Sequence, residues 1–124
     1  MAEEVPAALI DRARPPLAIV LGSPADVART VAAVGGGDVT CYQMDLYQAE
    51  RLRAELDEHA FAAQVVTAPD LWELPAHFRT VIYPSARGTE RDLKIDMIEQ
   101  AFHILQPHGT LLVWSANELS LIHI

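Results

Sequence analysis

Short unbroken apolar runs alternate along this chain with segments whose apolar residues recur every three or four positions. The first pattern is that of a strand buried on both faces of a sheet, and the second is one face of an amphipathic helix. Leu17 to Leu21 is the first run. Gly22-Ser23-Pro24 turns it into a helix from Pro24 to about Val34, which carries Val27, Ala28, Val31 and Val34 on one face and stops at Gly35-Gly36-Gly37. Val39 to Met44 is the second strand, and Asp45 caps a helix with Leu46, Ala49, Leu52 and Leu56 at its apolar positions. Gln64 to Ala68 is the third strand and ends at Pro69-Asp70; residues 71–75 give only a turn or short helix before a fourth strand, Thr80 to Tyr83. Thr89-Glu90-Arg91-Asp92 has the capping-box pattern and heads a helix with Leu93, Met97, Ile98, Ala101, Phe102 and Leu105 on one face. Gln106-Pro107-His108-Gly109 breaks that helix, and Thr110 to Trp114 is the fifth strand. The alternation predicts an α/β fold, a parallel sheet of about five strands with helices on both faces.

Length and charge narrow the function classes. With 124 residues, 51% of them hydrophobic, the chain has material for one core and one domain. Its net charge of −8 repels a nucleic-acid backbone unless the nine basic residues cluster on one face. The lone Cys41 excludes an internal disulfide and a cysteine-cluster metal site, and it reads as a small core residue. His59, His77, His103 and His108 fall in separate elements, so no metal is expected. No signal-peptide pattern or membrane-length apolar run occurs, and a cytoplasmic location with no membrane partner is the expectation.

The stretch from Thr80 to Ser115 carries a family likeness: Val81-Ile82-Tyr83-Pro84, a long helix ending Ala101-Phe102-His103-Ile104-Leu105, then Gln106-Pro107-His108-Gly109-Thr110-Leu111-Leu112-Val113. It resembles the fourth strand, helix and fifth strand of the class I S-adenosylmethionine-dependent methyltransferases, in which a Pro-x-Gly turn leads into the fifth strand. The resemblance extends over residues 17–115 and implies a Rossmann-like sheet of order 3-2-1-4-5, preceded by a lead segment, 1–16. Within the superfamily, Tyr83-Pro84 and the missing glycine-rich loop resemble the degenerate N-terminal half of two-domain ribosomal RNA methyltransferases that modify a guanine exocyclic amine. That likeness implies S-adenosylmethionine as the family cofactor, a C-terminal catalytic domain as partner, and ribosomal RNA as partner of the full-length protein. The family continues with a further helix and an antiparallel strand pair. Here Leu119-Ser120-Leu121-Ile122-His123-Ile124 continues no helix or strand pattern, and residues 116–124 read as a non-native tail, translated adapter read-through. The sheet is therefore expected to be truncated, with the fifth strand an exposed apolar edge and the fragment marginally stable or self-associating.

Two departures from the active pattern bear on catalysis. Active members carry an acidic residue and a Gly-x-Gly loop after the first strand, where this chain has Leu21-Gly22-Ser23-Pro24-Ala25-Asp26. Pro24 removes a donor and adds a ring, which makes a poor cradle for the methionine part of the cofactor. After the fourth strand, amine methyltransferases carry Asn-Pro-Pro-Phe or Asp-Pro-Pro-Tyr, but the chain reads Tyr83-Pro84-Ser85-Ala86 and offers no amide or carboxylate to hold an amine. No catalytic residue is assigned.

Ligands of open α/β sheets sit beyond the carboxyl ends of the strands where the strand order reverses, so the cofactor-binding candidates are Gly22, Ser23, Asp45, Asp70, Tyr83 and Ser85. Asp45 either accepts from ribose hydroxyls or only caps its helix. Asp70 either accepts from the adenine amine, with Leu71 and Trp72 beside the ring, or only makes a turn. Gly22 serves the turn, and Tyr83 stacks on a base or packs against the following helix. Arg87 and Arg91 are RNA-contact candidates. The competing function is an intact S-adenosylmethionine-binding domain acting on a small molecule. A nicotinamide-binding domain is disfavoured by the absence of Gly-x-Gly-x-x-Gly.

Overall fold

The computed structural model describes residues 5–35, 38–59, 61–85, 91–115 and 118–123; for 91–94, 115 and 118–123 it describes the backbone alone. Their elements are α1 (Ala7–Arg12), β1 (Leu17–Val20), α2 (Pro24–Val34), β2 (Val39–Gln43), α3 (Leu46–Glu58), β3 (Gln64–Thr67), β4 (Phe78–Pro84), α4 (Arg91–His103), β5 (Leu105–Ser115) and β6 (Glu118–His123). The strands form one sheet in the order β3-β2-β1-β4-β5-β6. The first five are parallel, as expected, and the order reverses between β1 and β4.

Alternation along the central strands divides the core in two. Leu17 and Ile19 of β1, Cys41 of β2, Ile82 of β4 and Leu112 of β5 face α2 and α3, whose Val27, Val31, Leu52 and Leu56 complete that layer. Ala18, Val20, Tyr42, Val81, Tyr83, Leu111 and Val113 face the other way, onto Met97 and Ala101 of α4 and onto Leu71. The uniformly buried β1 is why its sequence reads as an unbroken apolar run instead of an alternating one. Each fully buried Ile or Leu in these layers contributes about 1.5–3 kcal/mol.

In the lead segment, for which the sequence predicted no element, α1 packs Leu9, fully buried, into the α2–α3 layer. Three expectations need correction. The fourth strand starts earlier than expected, at Phe78, and so does the fifth, at Leu105. Phe78 pairs with Leu105 and Thr80 with Thr110, so Gln106 to Gly109 are looped out as an irregularity within β5 instead of separating it from α4. His108 is left-handed there at φ 65°, and a Cβ on Gly109 would lie 2.9 Å from the backbone Gln106 O, which favours glycine at the bend. Finally, the sheet does not stop at the fifth strand. Glu118–His123 pairs antiparallel with β5 from Ser115↔Glu118 to Thr110↔His123, so β5 is interior and the argument for self-association through it lapses. A six-residue strand carries little intrinsic signal of its own, because strand preference depends on the partner it packs against. Gly36, Gly37, Arg87, the Thr89-Glu90 head of the capping box and Ile124 lie outside the described residues, and so does the side chain of Arg91.

Candidate functional site

The parallel ladders set the strand ends side by side. Ile19 is registered with Cys41 on one side and Ile82 on the other, so the chain leaves β1 through Leu21-Gly22 level with Gln43 and Pro84. Leu21 still donates its N–H to Tyr42 O, at 2.9 Å, but takes φ 58°, and Gly22 follows at φ 83°. Two consecutive left-handed residues are unusual, and the non-glycine one costs on the order of 1–2 kcal/mol. The partner that holds them is Gln43, buried at the end of β2, whose Nε2 donates to Leu21 O at 3.2 Å and to Gly22 O at 3.4 Å.

Gly22 is where a side chain has no room. A Cβ built there would lie 3.0 Å from Pro84 O and 3.1 Å from Pro84 Cβ, so the end of β4 fills the side of the loop that glycine leaves open. Ser23 then begins α2: its Oγ accepts from Asp26 N–H at 3.2 Å and its carbonyl from Val27 N–H at 2.9 Å. Pro24 at the first helical position has no N–H to offer. Tyr83 is buried in the α4 layer, which is the packing role, and burial pushes its phenol pKa up. The adjoining Ser85 hydroxyl opposes that shift but makes no hydrogen bond of good geometry; it is 4% exposed, with Oγ unpartnered among the described residues. Ser85 N–H donates to Trp114 O at 2.8 Å, which ties the end of β4 to β5.

The ends of β2 and β3 look different. Asp45 is exposed and caps α3, its Oδ1 accepting from Tyr47 N–H at 2.7 Å and Gln48 N–H at 3.4 Å. Leu46 and Tyr47 beside it are each 64% exposed. Asp70 opens the connection to β4, its Oδ1 accepting from Trp72 N–H at 3.0 Å in a local turn. Neither carboxylate takes part in an ion pair among the described residues. Since Gln43 is registered with Thr67, Asp45 and Asp70 follow neighbouring strands by two and three residues. Leu71 is buried, its N–H donating to Gln100 Oε1 at 2.9 Å, and the Trp72 ring lies 5.4 Å from that of His103 at the far end of α4.

Sequence reasoning did not single out Gln43. Its signal was a lone amide inside the run Val39 to Met44, a polar group that a buried strand has to satisfy. It also passed over the carboxylates near His59: Glu55, Glu58 and His59 bring ligand-type atoms within 4.8 Å of one another on the last turn of α3, at an exposed surface. Cys41 is fully buried, and desolvation pushes its thiol up to about 12, as befits a core residue. No helix among the described residues is long and apolar enough to cross a membrane.

No family model matches the sequence, and no curated protein does. Solved structures do match. A predicted O-methyltransferase from Agrobacterium tumefaciens is 27% identical, with a TM-score of 0.62 over 82% of this chain and 55% of that one. An S-adenosylmethionine-dependent methyltransferase from Methanosarcina mazei is 10% identical, with a TM-score of 0.66 over 89% of this chain and 57% of that one. A protein solved in work on the conversion of a disulfide bond into a thioacetal group during echinomycin biosynthesis is 19% identical, with a TM-score of 0.67 over 86% and 47%. This chain spans about half the length of the proteins it matches. It has the fold of the class I S-adenosylmethionine-dependent methyltransferases, the superfamily its sequence resembles.

Proposed function

We propose that this chain is the methyltransferase-fold part of a longer S-adenosylmethionine-dependent enzyme, that it meets the nucleoside of the cofactor, and that a second half carries out transfer. The observation that carries this reading is the contrast in chemistry along the strand ends. Asp45 and Asp70 are carboxylates that pair with no cation among the described residues, and they suit the nucleoside: one for the ribose diol, the other for the adenine amine. The amino-acid end of the cofactor does not fit the first loop, because Pro84 occupies the open side of Gly22 and Gln43 occupies the loop carbonyls. The end of β4, Tyr83-Pro84-Ser85, is buried and carries no amide or carboxylate to orient an amine for methylation.

For the full-length protein we propose ribosomal RNA as substrate, on the strength of the sequence resemblance. With a net charge of −8 on this chain, phosphate contacts belong to the other half. The test is equilibrium binding of adenosine, with a methyl-transfer assay run beside it on this chain alone. Adenosine is expected to bind the wild type and to bind Asp45→Asn at least about tenfold more weakly, the size of one hydrogen bond to a charged group. Methyl transfer by this chain to a small molecule would overturn the division of labour and select the small-molecule enzyme instead.

A further inference from the structure

A ligand that ends in an amino acid needs two things from a strand-end loop: carbonyl oxygens for its ammonium and free N–H groups for its carboxylate. At the end of β1 the acceptors are present and turned out of the ladder, since Leu21 and Gly22 follow one another in the left-handed region beyond Val20. Both are already taken. The Gln43 side chain, 4% exposed, places one nitrogen at 3.2 Å from Leu21 O and 3.4 Å from Gly22 O. On the donor side, Asp26 N–H goes to Ser23 Oγ, Val27 N–H goes to Ser23 O and Pro24 has none, so only the N–H groups of Gly22, Ser23 and Ala25 are left for a carboxylate, and it is the ammonium that finds no partner. The loop cannot easily give way, because Pro84 O and its ring stand 3.0–3.2 Å from where a Gly22 Cβ would be.

We infer that the Gln43 amide is a built-in substitute for a ligand's amino group, so that this site engages an adenine nucleoside and gains nothing from an amino-acid tail attached to it. The inference rests on the nucleoside reading of Asp45 and Asp70 and goes beyond it, because it names the part of a ligand that the site leaves unbound and the residue responsible. Gln43 acts here through the loop it occupies. Leu has a similar volume and no donor, so Gln43→Leu vacates both carbonyls while keeping the β2 end filled.

The experiment compares adenosine with S-adenosylhomocysteine, which carries the same nucleoside plus the amino-acid tail and no transferable methyl. Both are titrated calorimetrically into the wild type, Gln43→Leu and Gln43→Met, and each variant is checked for a cooperative thermal transition. The wild type is expected to bind the two ligands within about threefold of each other. In the variant that folds, S-adenosylhomocysteine is expected to gain about tenfold over adenosine, the gain of one charge-assisted hydrogen bond. A tail whose ammonium finds no carbonyl gains nothing, and a merely structural role for Gln43 would weaken both ligands equally. The inference is overturned if the wild type already prefers S-adenosylhomocysteine tenfold, or if both variants leave the ratio unchanged. Adenosine binding that is lost in Asp45→Asn would in those cases leave the nucleoside reading standing, whereas a wild type that binds neither ligand overturns both.

Discussion

The two halves of the strand-end crevice are built from similar loops and treat their polar groups in opposite ways. Where β1 and β4 end, polar atoms turn inward. Gln43 is spent on two carbonyls, Pro84 fills the space beside Gly22, and Ser85 is buried. Where β2 and β3 end, polar atoms turn outward, and Asp45 stands exposed among Leu46 and Tyr47. The position of the reversal in strand order says where a parallel sheet can receive a ligand. The side chains around it decide how much of that ligand is admitted, and under the function proposed above they would admit one end only.

The largest expected effect lies in the closed half. Gly22→Ala adds a left-handed alanine and a clash with Pro84, together about 2–4 kcal/mol of lost stability. Gly35 is the matched control: it has φ 86° but nothing within 4 Å of a built Cβ, so Gly35→Ala should cost only the backbone part, about 1–2 kcal/mol. Urea unfolding midpoints measure both. Equal losses would mean that Pro84 does not close the loop, and the contrast between the two halves would fail with it.

Beneath the closed half, Cys41 provides a test by pH. Burial raises its thiol pKa from 9.0 to about 12, so the folded state holds its proton more tightly than the unfolded chain does. The resulting stability is fully present below pH 9 and declines as pH rises from there toward about 12, with a slope of up to about 1.4 kcal/mol per pH unit. Tyr42 and Tyr83 are shifted upward by burial too and add to the decline. Unfolding free energies measured from pH 8 to 11 on wild type and Cys41→Ala isolate the thiol: the variant's curve should be shallower above pH 9. Superimposable curves would place the thiol in contact with water.

Legibility in the sequence followed the same division. Strand β1 and helix α2 could be read because a doubly buried run and a one-faced helix leave unmistakable patterns, and α2 has the expected bounds, Pro24–Val34. The five-strand order was legible through the family resemblance. Strand β6 was not, since Glu118 to His123 has neither length nor strict alternation, and its pairing is fixed by β5. Pro107 and Gly109 signalled a break, while the structure uses them for a bend inside β5; local breaker residues do not say whether the partner strand waits on the far side. At the site, the candidate positions could be read and their partners could not. The hold of Gln43 on Leu21 and Gly22 spans more than twenty residues and depends on two left-handed torsions that no leucine announces.

The smallest effect separates the two roles of Asp45. As the cap of α3 it satisfies the N–H groups of Tyr47 and Gln48 through Oδ1, a service that asparagine performs nearly as well and alanine does not. Asp45→Ala should therefore lower stability by about 1 kcal/mol, and Asp45→Asn by only a few tenths. For a ribose diol the order changes, because two hydroxyl donors want two acceptor oxygens and asparagine replaces one of them with a donor. Both variants should then lose adenosine binding while only alanine loses stability, which thermal melts and calorimetric titrations on the same samples will show. If asparagine instead keeps both, Asp45 is a cap alone, and the open half of the crevice has to hold its ligand through Asp70.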